Sequence, residues 1–194
     1  MKIIALLPES SRMEDYGLLP TLSYPDSSMV KNGNPVYIPD FDDSFSGHFY
    51  LAVKISRLGK NVAERFAARY YSEVAPVIAV FADNLIRSLQ KNGLPWTIAT
   101  GFDKSLVTGC FTDYAGLGEN PSMELHASDG MRTTLLLPDR TAINRAVNEV
   151  SRYNSLKMGD LILIPIETEP IRLEIDTLIT VTADDRILLE LPVK

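Results

Sequence analysis

Phe49-Tyr50-Leu51-Ala52-Val53-Lys54-Ile55-Ser56-Arg57-Leu58-Gly59-Lys60-Asn61-Val62 is the stretch on which the fold turns. Phe49, Leu51, Val53 and Ile55 recur at period two, which predicts a strand with an apolar face. Gly59-Lys60-Asn61 then interrupts it. Asn61 has the chemistry of a helix cap, and Glu64 stands three residues later in the capping-box position. Val62, Phe66, Ala67 and Tyr70 follow at helical spacing and predict a helix over 62–71.

Upstream, residues 2–7 read as a first strand and 8–17 as a polar loop. Lys31-Asn32-Gly33-Asn34 has tight-turn chemistry, because Asn and Gly tolerate positive φ, and predicts a hairpin with strands on both sides. Downstream, a helix is predicted over 83–91, with Leu85, Ile86 and Leu89 inward. Asn92-Gly93 and Pro95 end it. Another is predicted over 140–153, with Ile143, Ala146, Val147 and Val150 on one face. The last forty residues read as strands: 161–166, the alternating 171–175, then 179–182 and 187–191 around the turn Ala183-Asp184-Asp185-Arg186. Three short helices among many strands make an α+β domain, mostly β.

Composition narrows the function. The 194 residues suit one domain over 1–194, its first 22 residues being the divergent part. A formal net charge of −6 gives no basic excess to neutralise phosphates, so no nucleic-acid partner is expected. No apolar run reaches the ~20 residues of a membrane span, so no membrane partner is expected. The N-terminal apolar run is too short for a signal peptide, and the single cysteine, Cys110, suits a reducing, cytoplasmic setting.

Four segments, in order, resemble the fumarylacetoacetate hydrolase (FAH) family. Tyr24-Pro25-Asp26-Ser27 resembles its K-P-x-S segment. Arg57-Leu58-Gly59-Lys60-Asn61-Val62 resembles the segment after its metal-binding strand. Gly93-Leu94-Pro95-Trp96 with Gly101-Phe102-Asp103 resembles the approach to its catalytic lysine and K-x-F-D. Leu156-Lys157-Met158-Gly159-Asp160-Leu161-Ile162 resembles its L-x-x-G-D-x-I. The resemblance covers 23–194. It implies an FAH-like fold of stacked, bent mixed β-sheets (a β-sandwich roll) with a few short peripheral helices. It also implies a homodimer, or a heterodimer with an active paralogue.

The family's usual chemistry cleaves small β-diketo or 2-keto acids, with Mg²⁺ or Mn²⁺ held by carboxylates to stabilise an enolate. Carried over by position, the two Glu of its E-x-E fall on His48 and Tyr50, and its metal Asp on Ala79. The following Arg and Asp fall on Asp83 and Asn84. The catalytic lysine falls on Thr100 and the K-P lysine on Tyr24. Its Asn-Thr-Ser-Asp element falls in Leu135-Leu136-Leu137-Pro138, and its Gly-Thr-Pro turn in Ile164-Pro165-Ile166-Glu167. The resemblance therefore implies a degenerate member with no cofactor: a non-catalytic pseudoenzyme with a binding, regulatory or structural role. The alternative is a hydrolase or lyase of small keto acids working through a rewired site. Tyr24, His48, Tyr50, Thr100 and Glu167 are the candidate pocket for a small organic acid.

Other residues carry paired readings. His48 is either a base or softer-metal ligand, or a polar residue lining a leftover cavity. Glu167-Thr168-Glu169, if extended, would offer Glu167 and Glu169 as a replacement metal pair; otherwise it is a solvated turn before Pro170. Asp40-Phe41-Asp42-Asp43 lacks the glycine and spacing of a Ca²⁺ loop and reads as a charged surface turn. Cys110 reads as a nucleophile or as a buried structural thiol. His126 lies in a predicted strand. Phe49, Tyr50, Tyr70 and Tyr71 form either an aromatic pocket or core.

Overall fold

The computed structural model describes residues 1–117, 121–184 and 186–194. In chain order the elements are β1 (Ile3–Leu6), β2 (Thr21–Tyr24), β3 (Met29–Lys31), β4 (Phe45–Ile55), β5 (Tyr71–Ala82) and α1 (Asp83–Lys91). Next come β6 (Leu106–Thr108), β7 (Thr112–Asp113), β8 (Ser122–Ala127), β9 (Arg132–Leu136) and α2 (Arg140–Tyr153). The chain closes with β10 (Leu161–Pro165), β11 (Ile171–Arg172), β12 (Leu178–Ala183) and β13 (Arg186–Pro192). The larger, mixed sheet runs β2-β1-β10-β4-β5-β6-β3, with β11 added to β4 and β7 to β5. The smaller sheet is antiparallel, β13-β12-β8-β9. This is the expected α+β architecture, mostly β. Among the described residues no helix is long and apolar enough to cross a membrane.

β4 and β5 are the spine, antiparallel and paired from Phe45↔Ala82 to Ile55↔Tyr71. Phe49, Leu51, Val53 and Ile55 point into the main core, as their period predicts, with Val74, Ile78 and Val80 beside them. Leu125, Leu135, Val181 and Leu189 of the smaller sheet and Ile143, Val147 and Val150 of α2 join the same core. The opposite face is buried too. Tyr50, Ala52, Ala75, Val77, Ala79 and Phe81 form a second apolar cluster with Leu22, Tyr24 and Leu106. A strand covered on both sides is apolar throughout, which is why β5 reads Val74-Ala75-Pro76-Val77-Ile78-Ala79-Val80-Phe81.

Both α-helices match their predicted bounds. Asp139 caps α2, its side chain accepting from the Ala142 amide at 2.7 Å. α1 ends with Gly93 at φ +64°. The Leu94 amide donates to Leu89 O and the Gly93 amide to Gln90 O, a Schellman closure.

Two predictions are corrected. The helix over 62–71 is only a 3₁₀ turn, Glu64–Arg69. Asn61 does not cap it: its φ is +52°, its amide donates to Ser151 O, and the Val62 amide is held by Ser151 Oγ at 2.9 Å. These bonds to α2 hold the entry out of cap geometry. The turn at 31–34 forms, with Gly33 at φ +79° and the Asn34 amide donating to Lys31 O at 3.1 Å. It joins no hairpin, because β3 pairs with β6 in parallel. Asn32 instead ties the turn to β13, accepting from the Glu190 amide at 2.6 Å. The strand expected over 171–175 stops at Arg172, and Ile175 is exposed. β12 and β13 flank the predicted turn, of which Asp185 lies outside the described residues.

Candidate functional site

The period of β4 sets which residues can meet. Ser46, His48 and Tyr50 share one face because successive side chains alternate. His48 stands opposite Ala79 on β5, and Tyr50 opposite Val77. Tyr24 reaches the same cluster from β2. Tyr24 is 5% exposed and Tyr50 3%, while Ala79 and Thr100 are fully buried. The face inferred to carry metal ligands is thus packed with phenols and a methyl group.

The phenols have few polar partners. Burial, with Tyr50 beside it, pushes the Tyr24 hydroxyl far above its usual range, and burial pushes Tyr50 up to about 12. Both stay neutral near pH 7. The Tyr24 hydroxyl has no hydrogen-bond partner among the described residues. Thr100 lies close enough to favour the phenolate slightly, but its own hydroxyl donates to Thr97 O at 3.2 Å.

His48 is the exception, half-buried and firmly held. Its ring stacks on Phe81, centroids 4.1 Å apart and 24° from parallel. Its Nε2 lies 3.1 Å from Ser46 Oγ. Ser46 donates its one hydroxyl proton to Asp83 Oδ1 at 2.6 Å, so its oxygen accepts from His48. His48 therefore carries its proton on Nε2, and Nδ1 is left as an acceptor. Ser44 Oγ donates to Asp83 Oδ2 at 3.0 Å. Burial holds the imidazole below its usual range, opposed in part by the charge of Asp83.

The relay Asp83–Ser46–His48 sits where β4 meets the first turn of α1. Asp42 fastens that turn, accepting from the Leu85 amide at 2.8 Å and Asn84 Nδ2 at 2.7 Å. Residues 40–43 are the charged surface turn expected, and its Asp42 tethers the start of α1. Position 83 was singled out only as the family's arginine position. Ser46, two residues from His48 on a strand, was legible as its neighbour. Asp83, 37 residues beyond Ser46 in sequence, was not.

His48 stands between two grooves. One, of about 570 Å³, is lined by His48, Tyr50, Pro165, Glu167, Glu169 and Glu9. The other, of about 290 Å³, is lined by His48, Phe81, Asp83, Arg87, Gln90 and Trp96. Residues 167–169 are not a strand: Thr168 is a bend, so Glu167 and Glu169 do not stand side by side on a pleat. Leu135 is buried in the core, whereas Leu136 is 73% exposed and lines an adjoining groove with Glu9, Pro165 and Glu167. Cys110 is exposed, contrary to the buried reading, and takes a bond from Asn32 Nδ2 at 3.3 Å. His126 lies in β8 opposite Arg132 and Thr180. The four aromatics form no pocket, since Phe49 and Tyr50 face opposite sides and Tyr71 donates to Asn144 Oδ1 at 3.0 Å.

No protein-family model matches the chain. An Arabidopsis thaliana relative, "Oxaloacetate tautomerase FAHD1, mitochondrial", is 35% identical over 142 residues, 72% of this chain. The chain spans 64% of the length of that relative and of its rat counterpart. A Yersinia pestis CO92 structure assigned to the fumarylacetoacetate hydrolase family superposes at a TM-score of 0.86, with 20% identity, over 100% of this chain and 92% of that one. The Pseudomonas aeruginosa fumarylpyruvate hydrolase, in complex with Mn²⁺ and pyruvate, superposes at 0.79, with 17% identity, over 99% and 88%.

The Mn²⁺ in that neighbour sets a test for this chain. A hard divalent cation takes six or more oxygen ligands, anionic carboxylates foremost. The three metal positions here offer one imidazole whose Nε2 is already bonded, one neutral buried phenol, Tyr50, and the methyl group of Ala79. That donor set does not fit such an ion. Among the described residues no three His, Cys, Asp or Glu side chains group to hold a metal.

Proposed function

This chain belongs to the fumarylacetoacetate hydrolase family, and on that premise we propose that it is a non-catalytic member that binds a small organic acid without the family's metal. One observation carries the reading. Tyr24, Tyr50, Ala79 and Thr100, at the positions the resemblance gives to the reacting lysines and metal carboxylates, are packed into an apolar cluster or fully buried. Enolate formation needs charge stabilisation worth several kcal/mol, supplied elsewhere in such chemistry by the ion. Neutral phenols in an apolar cluster are a poor substitute. Removing buried carboxylates also relieves the fold of an uncompensated charge once the cation is lost.

A specific observation favours a second reading. The Asp83–Ser46–His48 relay presents a neutral, oriented imidazole, the form a general base needs. A hydrolase or lyase acting on small keto acids through this rewired site is the alternative. Assays of purified protein with acylpyruvates and oxaloacetate, with and without Mg²⁺ or Mn²⁺, separate the two. The non-catalytic reading expects rates at buffer background. Robust metal-dependent turnover contradicts it. Metal-independent turnover abolished by His48→Ala establishes the alternative.

A further inference from the structure

The end of the molecule beyond β4 carries a charge opposite to that of the whole chain. Residues 56–70 and 151–160 hold six of the 19 Lys and Arg and two of the 25 Asp and Glu, a net charge of +4 on a chain of −6. Hydrogen bonds make the two segments one surface. The Gly59 amide donates to Leu156 O at 3.0 Å and the Leu156 amide to Gly59 O at 2.8 Å. The Ser56 amide donates to Tyr70 O at 2.7 Å, and Lys60 Nζ to Arg152 O at 3.0 Å. Ile55 lies seven residues along β4 from His48, about 23 Å of strand, so this surface is remote from the site already described.

The cations at this end are uncommitted. Arg57, Lys60, Arg65, Arg69, Arg152 and Lys157 are all exposed. Among the described residues none of them makes an ion pair, although the chain has more acids than bases. Of the two acids here, Asp160 is buried and paired with Lys2, and Glu64 is exposed.

Apolar side chains stand among the cations. Met158, 79% exposed, and Leu58, 74% exposed, are the two most exposed large apolar residues described. Leu58 lies one residue from the Gly59–Leu156 bridge on one segment, and Met158 two residues from it on the other. Tyr153 and Phe66 are exposed nearby, Phe66 with the Arg65 and Arg69 guanidinium groups 4.7 and 4.8 Å from its ring centre. The support beneath is packed tight: a Cβ at Gly59 would lie 2.7 Å from Tyr70 Cε1 and 2.8 Å from Val62 Cγ2. The tips are therefore presented on a fixed backbone.

Unpaired cations around projecting apolar tips suit an anionic bilayer, where cations meet headgroups and apolar groups enter the acyl boundary. An acidic protein would match the charge, but it would need a hollow to cover two projecting tips. A bilayer yields to them. We propose that this end docks the chain on an anionic lipid surface, with Leu58 and Met158 inserted and the six cations on the headgroups. The acidic remainder of the chain then faces away. The sequence argued against a membrane partner only by lacking a spanning run, and resting on a bilayer needs none. The proposal is independent of whether the His48 site is catalytic.

The test sediments full-length protein with phosphatidylcholine vesicles, with and without about 30% phosphatidylserine. Co-sedimentation is expected with the anionic vesicles alone, weakening as salt screens the charges. Each cation near such a surface contributes about fivefold to partitioning, so Arg57→Gln with Lys157→Gln should weaken binding by about tenfold or more. Lys31→Gln with Lys91→Gln removes the same charge from β3 and α1 and should leave binding nearly unchanged. Leu58→Ser with Met158→Ser should weaken binding and keep its salt dependence. All six positions are exposed, so folding is not at stake. No binding to anionic vesicles overturns the proposal, as does equal weakening by the two charge-removing pairs, or full binding by the Leu58 and Met158 variant. Binding to soluble polyglutamate and not to vesicles also overturns it, and gives the surface to an acidic protein partner.

Discussion

His48 stands directly across β4 and β5 from Ala79. The pairing puts a bonded imidazole and a methyl group where a hard cation would need anionic oxygen. Ala79 is fully buried, so the site has no room for a solvated charge. Ala79→Asp places an unpaired carboxylate there and should destabilise the protein by about 3–5 kcal/mol, as breaking a buried pair does elsewhere. Urea denaturation at neutral pH measures it. A loss under 1 kcal/mol would mean that charge-compensating groups reach this point.

Tyr24 makes the opposite prediction. Its buried hydroxyl has no partner among the described residues, so it contributes a desolvation cost and no bond. Tyr24→Phe should be neutral or stabilising by up to about 1 kcal/mol. A clear loss of stability would reveal a partner, such as an ordered water shared with Tyr50.

Asp160 fastens the chain start to the β10 entry. It accepts from the Lys2 amide at 2.8 Å, the Lys157 amide at 2.8 Å and Lys2 Nζ at 2.6 Å. Burial pushes its carboxyl up, but the bonds from Lys2 and Lys157 outweigh it and hold the group below its ordinary value of 3.8. A depressed folded pKa stabilises above the unfolded value and is lost as pH falls through the folded one. Stability should therefore fall below about pH 4, more steeply in the parent than in Asp160→Asn. At pH 7 that variant should lose about 1.5–3 kcal/mol, in the range for bonds to a charged group. Identical acid limbs for the two proteins would remove Asp160 from the account.

Gly109 lies where the two sheets meet. Its amide donates to Pro76 O, and the Cys110 amide to Leu188 O at 2.6 Å. A Cβ added there would lie 2.6 Å from Leu188 O and 2.9 Å from Pro76 Cγ. Gly109→Ala should cost about 1–3 kcal/mol in thermal or urea unfolding, since backbone on one side and a proline ring on the other cannot yield cheaply. An unchanged midpoint would mean that the sheets separate more easily than their contacts imply.

Sequence reading succeeded where one local signal sufficed. α1 and α2 were bounded by their apolar period, with Gly93 closing one and Arg140 to Tyr153 continuous in the other. It failed where a distant partner took over. Ser151 holds the amide of Val62 where Asn61 was expected to start a helix, and β6 took β3 from the hairpin suggested by Asn32-Gly33. His48 and Ala79, which the resemblance places at two metal positions, stand opposite one another across β4 and β5. The relay to Asp83 needed the fold, because strand register and the start of α1 bring it to Ser46.

The central claim is that the inherited metal positions no longer hold an ion. Chelator-treated protein titrated with Mg²⁺ and Mn²⁺ in a calorimeter tests it most directly. The account predicts no saturable heat up to millimolar metal. One-to-one binding at micromolar metal would contradict it, and Glu167→Ala with Glu169→Ala would then show whether those two carboxylates supply a replacement site.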